Sequence, residues 1–315
     1  ILPKSVFTLV IAERFRRDLW TRPASSVSNV NRNQNQLGAD ISIKPGGGAL
    51  SFTLGYRWEI QRYDDATALD RDGHDFRFLA SWRFYPMNYL FIESTFDLVS
   101  YPNTPTGAGN VTGNFLSGMP FKVYAGLSGY FTSKFAMLIR LGYGNSFLGD
   151  DTESETDNFS NFIGMMQLTF RFSTRTALHI GAAHDYDLVV YGGYRSYIRG
   201  YLSFEQRFGK VATLHLDAAY DVRGYGEWKP YPVSLPGSSS PITPTATALN
   251  REDSRLRAGV LLDFNIHRAF GITLGYRLDM VITDFSVTQT TPAFSATTFT
   301  GYNEHRVYTT LNLRY

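Results

Sequence analysis

The connections between apolar segments constrain this chain more than any motif does, because their lengths sort by position. Apolar–polar alternation with a period of two marks about 14 strand-like segments. They lie near residues 5–15, 37–45, 49–63, 74–85, 89–101, 120–132, 135–148, 159–173, 176–190, 194–208, 212–226, 254–266, 270–285 and 303–315. The links after even-numbered segments are short: Pro45-Gly46-Gly47-Gly48, Pro86-Met87-Asn88, Ser133-Lys134, Ser173-Thr174-Arg175, Gly209-Lys210-Val211 and His267-Arg268-Ala269. The links after odd-numbered segments are mostly long and polar: Arg16 to Gln36, Pro102 to Pro120, the acidic Gly149 to Asn158, Trp228 to Asp253 and the Thr-rich Val287 to Tyr302, with Gly192-Gly193 the short exception. A soluble sandwich has no reason to sort its loops by parity.

The faces of the segments agree with that sorting. Phe76, Phe78, Ala80, Trp82 and Phe84 share one side of the fourth segment, opposite Asp75, Arg77, Ser81 and Arg83. The thirteenth sets Ile272, Leu274, Tyr276, Leu278 and Met280 against Thr273, Gly275, Arg277 and Asp279. The eleventh sets Leu214, Leu216, Ala218 and Tyr220 against His215, Asp217 and Asp221. So many apolar faces are too much surface for one small core. Facing lipid they need none, and closure of the sheet satisfies every backbone group. The expected fold is therefore all-β: a single closed antiparallel transmembrane β-barrel over residues 1–315. Short turns lie on the periplasmic side, long loops on the extracellular side, and an even strand count returns both termini to the periplasm. No stretch reaches the roughly 18 apolar residues of a membrane helix. The absence of cysteine excludes a disulfide framework or thiolate metal site. A net charge of +2 makes no case for nucleic acid.

The final nine residues alternate up to an aromatic end, with Val307, Leu311, Leu313 and Tyr315 on one face and Tyr308, Thr310, Asn312 and Arg314 on the other. This resembles the C-terminal assembly signal of bacterial outer-membrane β-barrels. The resemblance implies recognition by the barrel assembly machinery, residence in the outer membrane, and contact with its lipid and lipopolysaccharide. Because Ile1 is not an initiator Met, a processed or trimmed chain is expected, with any export signal removed. Aromatic residues near segment ends, among them Tyr85, Tyr89, Phe131, Phe135, Phe170, Phe172 and Phe208, resemble an interfacial girdle. The strand count is similar to that of 14-stranded monomeric porins and the fatty-acid transporter family. The latter carry an N-terminal plug. With a first strand expected near residue 5, no plug is expected here, which would argue against hydrophobic substrates.

A barrel of this size has a backbone radius of roughly 14 Å, room for a water-filled lumen. The candidate lumen-lining residues are Arg57, Glu59, Arg77, Arg83, Glu93, Asp97, Arg140, Arg171, Arg199, Arg207, Asp217, Asp221, Arg257, Arg277 and Asp279. Their charges are nearly balanced. Either they pair across neighbouring strands, Arg77 or Arg83 with Glu93 or Asp97, and Asp217 or Asp221 with Arg199 or Arg207, or they separate into a basic and an acidic wall.

Little in the chain suggests chemistry. His184-Asp185-Tyr186-Asp187 invites comparison with the rim Asp and His of omptin-type proteases, but its spacing does not match. His74, His179, His215, His267 and His305 are scattered without metal-ligand spacing. The acidic loop 150–157 lacks the spacing and glycine of an EF-hand. The expectation is no enzyme activity, no cofactor and no metal. The leading function is passive diffusion of small hydrophilic or charged solutes through a polar lumen. The alternative is a closed scaffold that docks envelope proteins for secretion, polysaccharide export or surface motility. At least one of the three longest loops is expected to constrict the mouth, with Trp20, Phe115, Trp228 and Tyr231 as possible anchors.

Overall fold

The computed structural model describes residues 6–20, 30–64, 70–103, 117–148, 158–189, 193–226, 245–246, 251–267, 270–283, 286–291, 294–299 and 301–313. Its strands are β1 (Phe7–Trp20), β2 (Val30–Ile43), β3 (Leu50–Tyr63), β4 (Arg71–Tyr85), β5 (Asn88–Ser100), β6 (Phe121–Tyr130), β7 (Phe135–Asn145), β8 (Ser160–Arg171), β9 (Thr176–Leu188), β10 (Tyr194–Phe208), β11 (Ala212–Tyr225), β12 (Thr245–Ala246), β13 (Glu252–His267), β14 (Phe270–Thr283), β15 (Ser286–Thr291), β16 (Phe294–Phe299) and β17 (Tyr302–Leu313). A 14-stranded antiparallel sheet takes all of them except β12, β15 and β16, in chain order and without a crossover, so that β1 and β17 end the hydrogen-bonded order. The remaining three make a small separate sheet.

The parity of the connections is retained. Residues 44–49, 86–87, 131–134, 172–175, 209–211 and 268–269 link strands at one end; 21–29, 64–70, 101–120, 146–159, 189–193, 226–251 and 284–301 link them at the other. At the short end Gly46, Gly47 and Gly48 all have positive φ, a run that only glycine adopts without strain.

The polar face is the concave one. Arg140 of β7 reaches past β6 to Glu93 of β5 at 3.3 Å. The Tyr201 hydroxyl of β10 donates to Gln167 of β8 at 2.8 Å. Lys122 of β6 lies 2.7 Å from Asp185 of β9. Strands three places apart would be about 14 Å apart on a flat sheet, so the sheet curls with its charges inside. The convex face is apolar and exposed: Leu54, Phe78, Trp82, Ile92, Leu141, Ile198 and Leu274 are all open. A contiguous apolar surface of this extent belongs in lipid. The described buried hydrophobic residues are few, and Tyr124, Phe159, Ile163 and Tyr186 gather as one cluster at the long-loop end rather than as a central core.

Two strand boundaries and three short strands depart from expectation. Arg16 to Gln36 reads as one polar loop, yet Arg16–Trp20 belongs to β1 and Val30–Gln36 to β2. The reason lies on the convex face. There Asn35 donates to Glu13, while Arg17 and Asn33 both bond Asp64. These strands extend beyond the apolar band of about 25 Å, where outward residues become polar and the alternation fades. Strands β12, β15 and β16 likewise fall inside segments that read as loops, since Thr-rich stretches carry β-propensity without apolar contrast.

The aromatic residues near strand ends form contacts at the short-turn end: Phe131 to Phe135 at 6.1 Å and Phe135 to Phe170 at 5.2 Å between ring centroids. Phe172 and Phe208 are exposed there. Val307 is 79% exposed and Leu311 is exposed on the convex face of β17. Tyr315 lies outside the described residues, and the side chain of Leu313 is not described.

Candidate functional site: the charged interior and its mouth

Strand register puts all the candidate interior residues on the concave face. Arg57 lies opposite Asp75, Asp75 opposite Asp97, Arg199 opposite Asp221, and Arg257 opposite Asp279. Arg83 and Arg207 lie at its short-turn end, where Arg207 bonds Glu205 at 2.7 Å. Arg171, at the same end, donates to the Tyr130 hydroxyl at 2.7 Å.

Most of these charges are paired, so the ladder arrangement describes this interior better than two opposed walls. Glu93 sits between Arg77 at 3.0 Å and Arg140 at 3.3 Å. Glu59 takes Arg71 at 3.6 Å and Gln36 at 2.5 Å. The densest knot surrounds Asp221, whose side chain is wholly buried. Arg199 approaches it at 2.6 Å, Arg223 at 2.9 Å and Arg257 at 3.4 Å. Arg255 is bound to Asp279 one strand over. A carboxylate with three guanidiniums ties β10, β11 and β13 together. Low local dielectric strengthens such a network, and removing one member strands the others. Arg77–Glu93 and Arg199–Asp221 are two of the cross-strand pairs that sequence position suggests.

The feature that sequence reasoning missed is at the mouth. The β8–β9 ladder stops at Gly164 and His184, whereas β9 stays paired with β10 as far as Leu188 and Tyr194. Freed from β8, the tip of the β9–β10 hairpin leans inward over the inner surface of β6, β7 and β8. Tyr186 is 0% exposed. Its hydroxyl faces two main-chain carbonyls, Asn145 at 2.6 Å and Phe121 at 3.1 Å. Its ring stacks on Phe159 at 4.3 Å between centroids. Lys122 donates to Asp185 at 2.7 Å and to the Tyr186 carbonyl at 2.6 Å, and Tyr124 donates to the other oxygen of Asp185. Gly144 permits this seating: a Cβ there would come within 2.5 Å of the Tyr186 ring.

The underlying rim is fastened as well. Ser146 accepts from the Phe159 amide, Asn158 accepts from the Leu148 amide, and Phe147 holds a positive φ of 36°, a conformation most side chains avoid. The tip stands between two cavities. The larger, about 560 Å³, is lined by Arg140, Asp185, Arg199, Asp217, Arg257 and Arg277 among others. The smaller, about 320 Å³, lies toward the mouth and is lined by Arg71, Asp97, Tyr101, Lys122, Tyr186 and Leu188 among others.

The cluster His184-Asp185-Tyr186-Asp187 thus belongs to this tip. Asp185 bonds Lys122 and Tyr124, Asp187 pairs with Arg195 at 2.9 Å, and His184 lies edge-on to Phe159. No three potential metal ligands gather among the described residues. The expected long-loop constrictions fall largely outside the described residues, as do loop 150–157, Phe115, Trp228 and Tyr231; the side chain of Trp20 is likewise not described. The described inward element is instead the hairpin with the short connection 189–193. The only sequence trace of this arrangement is that exceptional shortness.

No protein-family model matches the chain, and no curated protein does. Solved structures do match. The FrpB iron transporter of Neisseria meningitidis aligns over 91% of this chain and 54% of its own length, with a TM-score of 0.54 at 7% identity. The copper transporter OprC aligns over 92% of this chain and 56% of its own, with a TM-score of 0.52 at 10% identity. A Pseudomonas aeruginosa FadL homologue aligns over 96% of this chain and 87% of its own length, with a TM-score of 0.40 at 11% identity. The chain therefore spans about half the length of the FrpB and OprC transporters. At these identities the likeness concerns the fold alone, that of bacterial outer-membrane β-barrels.

Proposed function

We propose that this outer-membrane β-barrel protein is a channel for passive diffusion of small hydrophilic or charged solutes, and not an enzyme. The observation that carries the reading is the interior itself. A cavity of about 560 Å³ on the concave face is lined by charged and tyrosine side chains, Arg140, Asp185, Tyr197, Arg199, Asp217 and Arg277 among them, where a structural scaffold has no need for open polar volume. Paired charges keep the wall rigid, and their balance suits a path for ions of either sign and for dipolar solutes. The FrpB and OprC proteins named above are transporters, which is consistent with transport across the same membrane by this fold. The seated β9–β10 tip narrows the path at its outer end.

Single-channel recording in planar bilayers tests the proposal. Discrete conductance steps in salt are expected from the purified, folded protein. Electrical silence of folded protein would reject the channel and favour the scaffold reading, which stoichiometric co-purification with envelope proteins would support.

A further inference from the structure

One register row crosses the wall of the large cavity: Ser203 of β10, Asp217 of β11, Gly259 of β13, Arg277 of β14 and Arg306 of β17 are successive cross-strand neighbours. The ion pairs around this row occupy its neighbours: Arg199, Arg223 and Arg257 on Asp221, Arg255 on Asp279, and Arg306 on Glu304. Asp217 and Arg277 stand apart. Both are exposed to the interior, both line the cavity, and among the described residues neither forms an ion pair or a side-chain hydrogen bond. Gly259 is the register partner of both and lies between them. Two interstrand steps separate their backbones by about 9–10 Å.

Gly259 turns that separation into a notch. It carries no side chain, and the nearest atoms to a Cβ placed there are the Tyr276 carbonyl at 3.7 Å and the Asp217 Cβ at 4.0 Å, so the space above the backbone is open. On its far side Arg277 is the register partner of Arg306, whose guanidinium is already paired with Glu304 at 2.6 Å, so Arg277 is the row's free cation among the described residues. The arrangement therefore offers a negative group, an open floor and a positive group, in that order.

We propose that this row binds zwitterionic solutes about the size of a dipeptide, with the carboxylate on Arg277, the ammonium on Asp217 and the solute backbone over Gly259. This rests on the channel reading, whose solute class it names. A solute carrying one charge satisfies only one end and leaves the other as it is in the empty wall. Binding at this row would concentrate such solutes in the large cavity, below the seated tip.

Isothermal titration of folded, detergent-solubilised protein with alanyl-alanine tests the site without requiring conductance. Alanyl-alanine is expected to bind in the millimolar range. N-acetyl-alanyl-alanine and alanyl-alanine amide, each lacking one charge, should bind about tenfold more weakly, the size of one charge-assisted hydrogen bond. Asp217→Asn and Arg277→Gln should each weaken alanyl-alanine by a similar factor. The N-acetylated peptide should be insensitive to Asp217→Asn. Gly259→Leu, which fills the notch without altering charge, should weaken all three ligands. Because neither charged residue is paired, these changes strand no partner, and circular dichroism should show an intact sheet. Absence of binding by the wild type, or binding of alanyl-alanine by both charge variants as tight as by the wild type, overturns the site. Conductance with no binding rejects the site and retains the channel; binding without conductance rejects the channel and retains the site.

Discussion

Removing the Tyr186 hydroxyl should loosen the inward tip by an amount the structure sets. The hydroxyl has one proton and two carbonyl acceptors, with Asn145 the nearer at 2.6 Å. Tyr186→Phe therefore removes one net hydrogen bond, about 1 kcal/mol, or roughly a fivefold shift from the seated toward the unseated tip. Tyr186→Ala removes a wholly buried ring as well and should cost about 3–5 kcal/mol. Gly144→Val acts from the opposite side, because its Cβ would meet the ring at 2.5 Å. Overpacking of that kind costs about 1–3 kcal/mol while leaving Tyr186 itself unchanged. Two readouts apply. In single-channel records the time spent at the higher conductance should rise in the order wild type, Tyr186→Phe, Tyr186→Ala. The chain has no cysteine, so a Leu188→Cys thiol is a clean probe: Leu188 packs against Gly118 when seated, and its maleimide labelling from outside should accelerate by the same factors. Unchanged conductance and unchanged labelling in both Tyr186→Phe and Gly144→Val would refute a seated constriction at this hairpin.

Asp221→Asn leaves Arg199, Arg223 and Arg257 around an uncharged amide. Urea unfolding in lipid should show a loss of about 3–5 kcal/mol, and a loss near zero would show that the knot does not brace the wall. Glu93→Gln removes the shared partner of Arg77 and Arg140, so the reversal potential in a salt gradient should move toward anion selectivity; a shift toward cations would contradict the interior placement of Glu93. Leu54→Arg puts a charge on the exposed convex face, with an expected cost of about 2–4 kcal/mol if that position lies near the bilayer centre. Tolerance of the change in lipid-refolded protein would argue that the face does not meet hydrocarbon.

The architecture was legible because each of its signals is repeated many times. Alternation such as Phe76-Arg77-Phe78 assigns inside and outside residue by residue, and the parity of links such as Pro86-Met87-Asn88 against Pro102–Pro120 assigns the ends. Pairings within one strand of each other, such as Arg77 with Glu93, follow from register alone. The inward tip was not legible. Tyr186 lies on the outward-facing phase of β9, and it becomes buried only because β9 leaves β8 at His184 and turns that face onto Gly144 and Ile163. Nothing in a period-two pattern records where a ladder ends early. The outer reaches of β1 and β2 were missed for a related reason: residues such as Arg17 and Asn33, which both bond Asp64, lie toward the long-loop end, where the outward face turns polar and the alternation loses contrast.

The central claim is a passive aqueous path through the barrel, and solute entry into proteoliposomes measures it directly. Vesicles loaded with an impermeant polymer and mixed with isotonic solutions of uncharged or zwitterionic solutes of increasing size should swell, without any energy source. The rate should fall steeply as the solute outgrows a cavity of about 560 Å³ and rise in Tyr186→Ala. Swelling no faster than in protein-free vesicles, for the smallest solutes and for Tyr186→Ala alike, would contradict the account.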